Sequence, residues 1–297
     1  MSPFPTASPA PFALALLALD GVGRVTAHRL LDRFATADAI RATPREQVLL
    51  RLKGAPRAEQ TLGLLFSDAL DTALDAAAAE TARLGASGVR VLAPGMPEWP
   101  AGLDALDRPD RPVVLYAYGN PAALARPLLA VMGRPPVPAA PFEAAQRVAR
   151  HVASAGGGLA VGAAHGFDLA VQKVSLGAGS APVAVVGSGL GQLAPSLRPG
   201  ATALVRAGGL LVSSFPMAHG PFPHDDRERA LVQAALSRAV LVAAPQDGSP
   251  ESRACAWALR SGRPVALVGD SLEAWAAEAL RADGAATDAT VAGWLHG

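Results

Sequence analysis

Three glycine turns in the middle of the chain carry the residues best suited to hold a phosphate. They are Gly133-Arg134, the segment Gly162–Asp168 and Gly187-Ser188-Gly189, and each follows a short apolar run. A short apolar run that stops at glycine is typical of a buried parallel strand delivering its last residue into a crevice. Free backbone N–H groups at such an edge attract an anion, most often a phosphate.

Side chains at these turns add charge to the backbone groups. Arg134 directly follows a glycine and is the best single candidate for anchoring a phosphate, because a guanidinium can form a two-pronged hydrogen bond with it. The alternative is an exposed charge beside the Pro135-Pro136 turn. Asp168 is explained by a helix cap alone, and Lys173 by a solvent-facing position. The predicted phosphate- or DNA-binding residues are Gly133, Arg134, Gly162, His165, Gly166, Asp168, Lys173, Gly187, Ser188, Gly189, Arg227 and Arg229.

The sequence predicts no catalytic centre. It contains no His/Cys cluster with metal-ligand spacing, no Gly-x-Ser-x-Gly elbow and no paired-carboxylate motif. Gly187-Ser188-Gly189 is only half of a dinucleotide-binding fingerprint. Cys255 is the single cysteine and lies among apolar residues of a predicted helix, where a buried structural thiol is expected. We therefore expect neither enzymatic activity nor a metal or other cofactor.

Composition favours a cytoplasmic protein. Apolar residues make up 51% of the 297 residues, but no run is long and uncharged enough to span a membrane, and the N-terminus lacks the basic region of a secretory signal. The net charge is only +1, yet residues 121–270 hold 13 Lys/Arg against 8 Asp/Glu, an excess of five positive charges. That excess indicates either a modestly basic face suited to phosphates or a genome biased towards Ala, Arg, Gly and Pro.

The pattern of apolar runs predicts helices first and an α/β domain afterwards. Strands are expected at 86–92, 112–117, 128–132, 158–161, 182–187, 209–213, 239–244 and 264–268. Helices are expected at 140–155, 167–177, 201–207, 226–237, 251–261 and 271–282. Strands alternating with helices of this length form an extended, Rossmann-like, doubly wound, mostly parallel sheet.

Four segments follow from this pattern. Residues 1–10 are rich in Pro and Ser and are expected to be disordered, residues 11–85 form a small all-helical domain, residues 86–275 form the Rossmann-like domain, and residues 276–297 form a C-terminal helix and tail. The segment LLALDGVGRVTAHRLLDRF resembles a helix-hairpin-helix (or SAM-like) motif, whose Gly-apolar-Gly hairpin offers amides to a DNA phosphate. A tight turn inside a helical bundle explains it equally well.

An ordered series of short motifs resembles the DNA-processing protein A (DprA/Smf) family. The family's Gly-Ser-Arg turn is matched by Val131–Arg134, its Ser-Gly-x-Ala-x-Gly-x-Asp by Val161–Asp168, and its Val-Leu-Gly-x-Gly by Val185–Gly189. The other matching segments are Trp99–Leu103, Arg111–Tyr116, Gly119-Asn120, Ser213–Pro216, Phe222-Pro223, Arg227–Arg229, Ala235–Ser237 and Gly262–Val265. The match covers about residues 10 to 270, and we expect the residues after it to be too few for the winged-helix domain that some members of the family carry. By this comparison, His165 stands where the family usually has a basic residue.

The resemblance implies a homodimer that binds single-stranded DNA at the carboxyl edge of the sheet. It also implies that the protein loads the RecA recombinase during natural transformation or recombination. The sequence also departs from the family: Gly133 is followed directly by Arg134, without the serine of the family's Gly-Ser-Arg turn. Such departures leave two alternatives. One is a nucleotide-binding or nucleotide-processing protein on the same sheet, and the other is a paralogue that has lost DNA binding and kept a partner-binding role.

Both ligand hypotheses require one arrangement of the turns. Gly133, Gly162, Gly187 and Phe215 must lie along one edge of the sheet, at or just beyond strand ends. If DNA is the ligand, bases need aromatic rings on which to stack. The aromatic residues near the turns are Phe142, Phe167, Phe215 and Phe222.

Overall fold

The computed structural model describes residues 8–163, 166–282 and 284–296 and divides the chain into two compact units. The first comprises residues up to 99 together with 107–115, and the second comprises 100–106 with 116–297. The first unit holds six helices and one strand. They are α1 (Pro9–Ala18), α2 (Arg24–Leu31), α3 (Ala37–Arg41), α4 (Arg45–Arg51), α5 (Ala58–Leu65), α6 (Asp68–Ala86) and β1 (Val89–Leu92).

Capping and burial explain two differences from the sequence expectations in this unit. Pro9 and Ala10 belong to α1 rather than to a disordered terminus, because Ser8 Oγ accepts a hydrogen bond from Ala10 N and Ala10 is buried. Residues 1–7 lie outside the described residues. β1 packs against α6 and lies in the first unit, whereas the sequence placed everything from residue 86 onward in the second domain.

The second unit is built on a mostly parallel sheet in the order β2-β6-β5-β4-β3-β7-β8-β9. Its strands are β2 (Leu115–Gly119), β3 (Leu128–Gly133), β4 (Gly158–Gly162), β5 (Val183–Val185), β6 (Leu210–Ser213), β7 (Ala239–Ala243), β8 (Val265–Val268) and β9 (Leu280–Arg281). β2 pairs antiparallel with β6, and each of the other pairs is parallel. The α/β fold class predicted from the sequence is confirmed.

Helices connect the strands and cover the sheet. They are α7 (Ala139–Ser154), α8 (Phe167–Gly177), α9 (Arg198–Arg206), α10 (Asp225–Ala235), α11 (Pro250–Arg260) and α12 (Ala285–Gly293). α7 packs against α8 and α12, and α10 packs against α11. The strands β3, β4 and β7 are buried along their lengths, as expected for the centre of a doubly wound sheet.

The helix expected at 271–282 does not form. The chain instead makes a short 3₁₀ turn at Ala274–Ala277 and then β9, whose Leu280 and Arg281 pair with β8. Trp275 is buried, and its indole Nε1 donates to Ser252 Oγ at 2.9 Å. Tertiary contacts of this side chain and a strand partner therefore override a helical pattern.

Two further sequence expectations concern Cys255 and membrane spans. Cys255 is fully buried in α11, and burial raises the pKa of its thiol, in agreement with a structural role. Among the described helices, none is both long enough and apolar enough to cross a bilayer.

Candidate functional site

The carboxyl edge, where β3, β4, β5 and β6 end, collects the predicted turns. Gly133 and Gly162 are the last residues of β3 and β4, and Gly187 and Phe215 lie two residues beyond β5 and β6. These four strands are mutually parallel, so their ends share one edge of the sheet. The predicted placement of the four residues is confirmed.

Three glycines at this edge, Gly133, Gly162 and Gly189, are required by the protein's own packing. A Cβ on Gly133 would lie 2.9 Å from the Phe167 ring, and one on Gly162 would lie 2.1 Å from Asp168 Oδ2. A Cβ on Gly189 would meet the Pro216 carbonyl oxygen at 2.1 Å. These contacts account for glycine without a ligand, so the residue type at these positions is no independent sign of a phosphate site.

Arg134 is held at the edge by two carboxylates. Its Nε donates to Glu251 Oε2 at 2.9 Å, and its Nη2 donates to Asp226 Oδ2 at 3.0 Å. Burial disfavours the charge of Arg134, but Glu251 and Asp226 outweigh this and raise the pKa of its guanidinium. Among the described residues, Nη1 of Arg134 has no hydrogen-bond partner. One side of the guanidinium therefore remains open to a ligand.

Arg229 completes the ion-pair network formed by Arg134, Arg229, Asp226 and Glu251. Its Nη2 donates to Glu251 Oε1 at 2.8 Å and its Nε donates to Asp226 Oδ1 at 3.2 Å. Desolvation opposes its charge, yet nearby carboxylates, Asp168 first, raise the pKa of Arg229. Arg229, one of the predicted phosphate-binding residues, is therefore a buried cation held by carboxylates.

Gln233 ties this network to the sheet. Its Oε1 accepts from Arg229 Nη1 at 3.1 Å, and its Nε2 donates to the carbonyl oxygens of Val131 and Ala160 at 2.9 and 3.0 Å. These carbonyls belong to neighbouring strands β3 and β4. The position of Arg229 is thus fixed by hydrogen bonds that reach the sheet backbone.

The local charge balance is negative. Two arginines of the network face the carboxylates of Asp226, Glu251 and the buried Asp168. Asp168 lies in the first turn of α8, whose N-cap is Gly166 rather than Asp168. Sequence reasoning missed Glu251, which lies 117 residues from Arg134. The one available signal was the start of α11 after β7, a strand that ends at the same edge.

The remaining predicted residues do not all join Arg134. Lys173 is exposed within α8 and lines a groove with Arg150 of α7. Arg227 is exposed in α10, and Ser188 is buried with its Oγ donating to the Gly189 carbonyl oxygen at 3.2 Å. His165 lies outside the described residues. Within those residues, no group of three or more His, Cys, Asp or Glu side chains could hold a metal ion.

Aromatic and imidazole rings follow β6 in an unbroken series. His219 stacks on Phe215 with centroids 4.6 Å apart, contacts Phe222 edge-on at 5.2 Å, and Phe222 stacks on His224 at 5.6 Å. Phe222 is 50% exposed, so the outer end of this aromatic series faces solvent. Phe142 and Phe167 contact each other instead, and Phe167 is buried.

Comparison with known proteins identifies relatives of the whole α/β portion. The family model of DNA recombination-mediator protein A matches residues 90–292. A putative DNA processing protein DprA of Mycobacterium tuberculosis is 30% identical over 207 residues, which are 66% of this chain and 53% of the relative. The chain spans about half the length, or less, of the curated relatives that it matches.

Solved structures show the same fold. DNA processing protein A from Streptococcus pneumoniae superposes with a TM-score of 0.59 at 19% identity, covering 86% of this chain and 89% of the other. The Helicobacter pylori protein, described for its single-stranded DNA binding mode, gives 0.53 at 21% identity over 62% and 82%.

Proposed function

Because the chain belongs to the DNA recombination-mediator protein A family, we propose that it binds single-stranded DNA at the carboxyl edge. The family is one of recombination mediators and not of enzymes. The observation that carries the proposal is the meeting of three ligand-competent features at one edge. These are the open Nη1 of Arg134, the exposed cation of Arg227 and the half-exposed ring of Phe222.

Each feature supplies one part of single-strand recognition. The guanidiniums contact phosphates, which every sequence shares, and an exposed ring stacks on a base without selecting its identity. Asp226 and Glu251 fix Arg134 through its Nε and Nη2, so Nη1 is the nitrogen that a phosphate would contact. This arrangement favours an unpaired strand, because stacking on Phe222 needs a base that is free of its partner.

The family is described as one of DNA recombination mediators. We therefore propose that this protein works in the cytoplasm as a homodimer and helps RecA to load on single-stranded DNA, in natural transformation or in recombinational repair. The test is RecA filament assembly on DNA already coated by single-strand-binding protein. The protein should shorten the delay before assembly, and an unchanged delay would contradict the recombinase role while leaving DNA binding intact.

Salt dependence tests the DNA proposal directly. Binding of a fluorescent oligothymidylate should weaken with salt at a logarithmic slope of about −0.7 per phosphate contacted. Two contacts, from Arg134 and Arg227, would give a slope of roughly −1.4 by the same relation. The oligonucleotide should bind more tightly than the same sequence as a duplex. Equal or tighter binding of a free mononucleotide, insensitive to salt, would favour a nucleotide-binding protein instead.

The carboxylate excess beside Arg134 favours a second candidate, a family member that binds a protein partner but no DNA. Asp168, Asp226 and Glu251 repel a phosphate, and Arg229 is buried and already paired with Asp226 and Glu251. This candidate is supported if no oligonucleotide binds at low salt while the protein still alters RecA filament assembly.

A further inference from the structure

A second cationic site lies at the amino edge of the sheet, opposite the candidate DNA-binding edge. A cavity of about 570 Å³ opens beside the first residues of β3 and β7, between the ends of α10 and α11. Three arginines line it: Arg126, Arg238 and Arg263. None of the side chains that line this amino-edge cavity is an aspartate or glutamate; Asp104 is the sequence neighbour of the lining residue Ala105.

Arg263 is fixed in the cavity wall by neutral partners. Its Nε donates to the Ser237 carbonyl oxygen at 3.0 Å and its Nη2 to the Gly102 carbonyl oxygen at 3.2 Å. Its guanidinium lies over the Trp257 ring, 4.7 Å from the centroid. Burial lowers the pKa of Arg263, and no carboxylate counteracts that effect. Arg263 belongs to the Gly262–Val265 motif, which contributes no residue to the candidate site at the carboxyl edge.

Arg126, which also lines the cavity, is likewise held by a neutral partner. Its Nη2 donates to the Ala181 carbonyl oxygen at 2.6 Å. A guanidinium carries five N–H donors. Arg126 uses one of them and Arg263 uses two, so most of their donors have no acceptor among the residues that the structure describes.

The negative C-terminal ends of nearby helices explain only part of this cluster of arginines. α10 and α11 end here, and cations are favourable beside the negative end of a helix dipole. Arg126, however, follows the short 3₁₀ helix Pro121–Ala125 as its C-cap, and its guanidinium donates to the carbonyl oxygen of Ala181, which lies in no helix. The donors of Arg126 and Arg263 also outnumber the carbonyls that they contact. An anionic ligand would neutralise the charge of these two guanidiniums and accept hydrogen bonds from their remaining N–H donors.

We propose that the amino-edge cavity binds a phosphate group, carried either by a free nucleotide or by a nucleic-acid strand. Arginine forks match the oxygens of a phosphate, which offers several acceptors for the spare donors. The volume falls within the range of about 300–1,000 Å³ that small-molecule sites occupy, large enough for a mononucleotide. This proposal is independent of DNA binding at the carboxyl edge, because the two sites share no residue.

Calorimetric titration of the full chain tests the proposal, with inorganic phosphate, adenosine monophosphate and a 5′-phosphorylated oligothymidylate as probes. At least one probe should bind, and Arg126→Gln should weaken its binding about tenfold or more, as should Arg263→Gln, since about 1.4 kcal/mol corresponds to a factor of ten. The control is Arg260→Gln, which removes an exposed arginine at the end of α11 outside the cavity lining and should change affinity less than about twofold.

The probes also identify the source of the phosphate. Binding of adenosine monophosphate in competition with inorganic phosphate assigns a free nucleotide. An oligonucleotide affinity that falls in Arg126→Gln, with no response to the mononucleotide, assigns a strand. Circular dichroism shows whether Arg263→Gln folds. If it does not fold, Arg126→Gln and Arg263→Lys decide the outcome, and Arg263→Lys should lose part of the affinity for the bound probe. Absence of binding by every probe, or binding that neither cavity variant weakens, overturns the proposal.

Discussion

Arg134 combines two roles that sequence reasoning treats as alternatives. It is neither a free surface charge nor a side chain wholly committed to a ligand, because Glu251 and Asp226 occupy its Nε and Nη2 and leave Nη1 open. Glu251 is almost fully buried and is also paired with Arg229. Replacing Arg134 therefore removes the proposed phosphate contact without leaving a buried carboxylate unpaired.

Arg134→Ala should weaken oligothymidylate binding about tenfold, since a charge-assisted hydrogen bond is worth roughly 1.5–3 kcal/mol. Arg134→Lys should recover only part of that affinity, because a point charge cannot replace the fork. The protein should stay folded, since Glu251 keeps Arg229 as its partner. Fluorescence anisotropy measures the affinity, and an Arg134→Ala variant that binds as the parent does would place the phosphate contact elsewhere.

Phe222→Ala should also lower affinity for single strands, by about 1–3 kcal/mol if one base stacks on the ring. Because the side chain is half exposed, its removal should leave the melting temperature nearly unchanged. Leu272→Ala serves as the control, since Leu272 is 93% exposed and lies outside the aromatic series. A loss of affinity of equal size in both variants would argue against stacking.

At the level of elements, β4 and α8 are joined by a close approach that only glycine permits. Asp168 Oδ2 lies where a Cβ on Gly162 would be, and Gln172 Nε2 donates to the Gly162 carbonyl oxygen at 2.8 Å. The start of α8 is thus pressed against the end of β4. This contact holds the buried carboxylate of Asp168 near Arg229, where its negative charge helps to raise the pKa of the guanidinium.

Gly162→Ala should destabilise the protein by about 1–3 kcal/mol, because Asp168 or the strand must move to admit the methyl group. Gly177→Ala, at the last residue of α8, is the control. A Cβ there meets nothing within 4 Å, so alanine should be neutral or stabilising by up to about 1 kcal/mol. Urea unfolding at neutral pH measures both, and equal stabilities for the two variants would contradict the packing account.

Sequence patterns predict the elements better than the contacts between them. The runs ending at Gly133 and Gly162 identified β3 and β4 to within a residue, because buried parallel strands are short, apolar and bounded by glycine. The pairing of Arg134 with Glu251 could not be foreseen, since it depends on how α11 approaches α10. The helix predicted at 271–282 was wrong for a related reason. The hydrogen bond from Trp275 to Ser252 is a tertiary contact that the local sequence pattern does not encode.

At the scale of the whole molecule, the two units hold different titratable groups in their interiors. His28 of the first unit is 2% exposed, and its Nε2 lies 3.1 Å from the Arg111 carbonyl oxygen, to which it donates. Burial is the main cause that lowers the pKa of His28 below its ordinary 6.5. The folded unit therefore favours the neutral ring, whereas the unfolded chain takes up a proton more readily.

The first unit should consequently lose stability as pH falls through 6.5 towards the lower folded pKa, and keep it at higher pH. Each unit of pKa difference is worth about 1.4 kcal/mol. Urea unfolding at pH 7.5 and pH 5.5 should show this loss through the fluorescence of Trp99, the tryptophan of that unit. His28→Gln, which can still donate to Arg111, should reduce the pH dependence, and an unchanged dependence would exclude His28 as its source.

The burial of Cys255 has a practical consequence for observing these events. A thiol with a raised pKa and no exposed surface reacts slowly with maleimides, and the chain has no second cysteine to compete. A thiol introduced by His224→Cys, at the solvent-facing end of the aromatic series, would be the fast-reacting labelling position. A fluorophore placed there would report the arrival of a strand at the carboxyl edge in real time, in an otherwise unaltered protein.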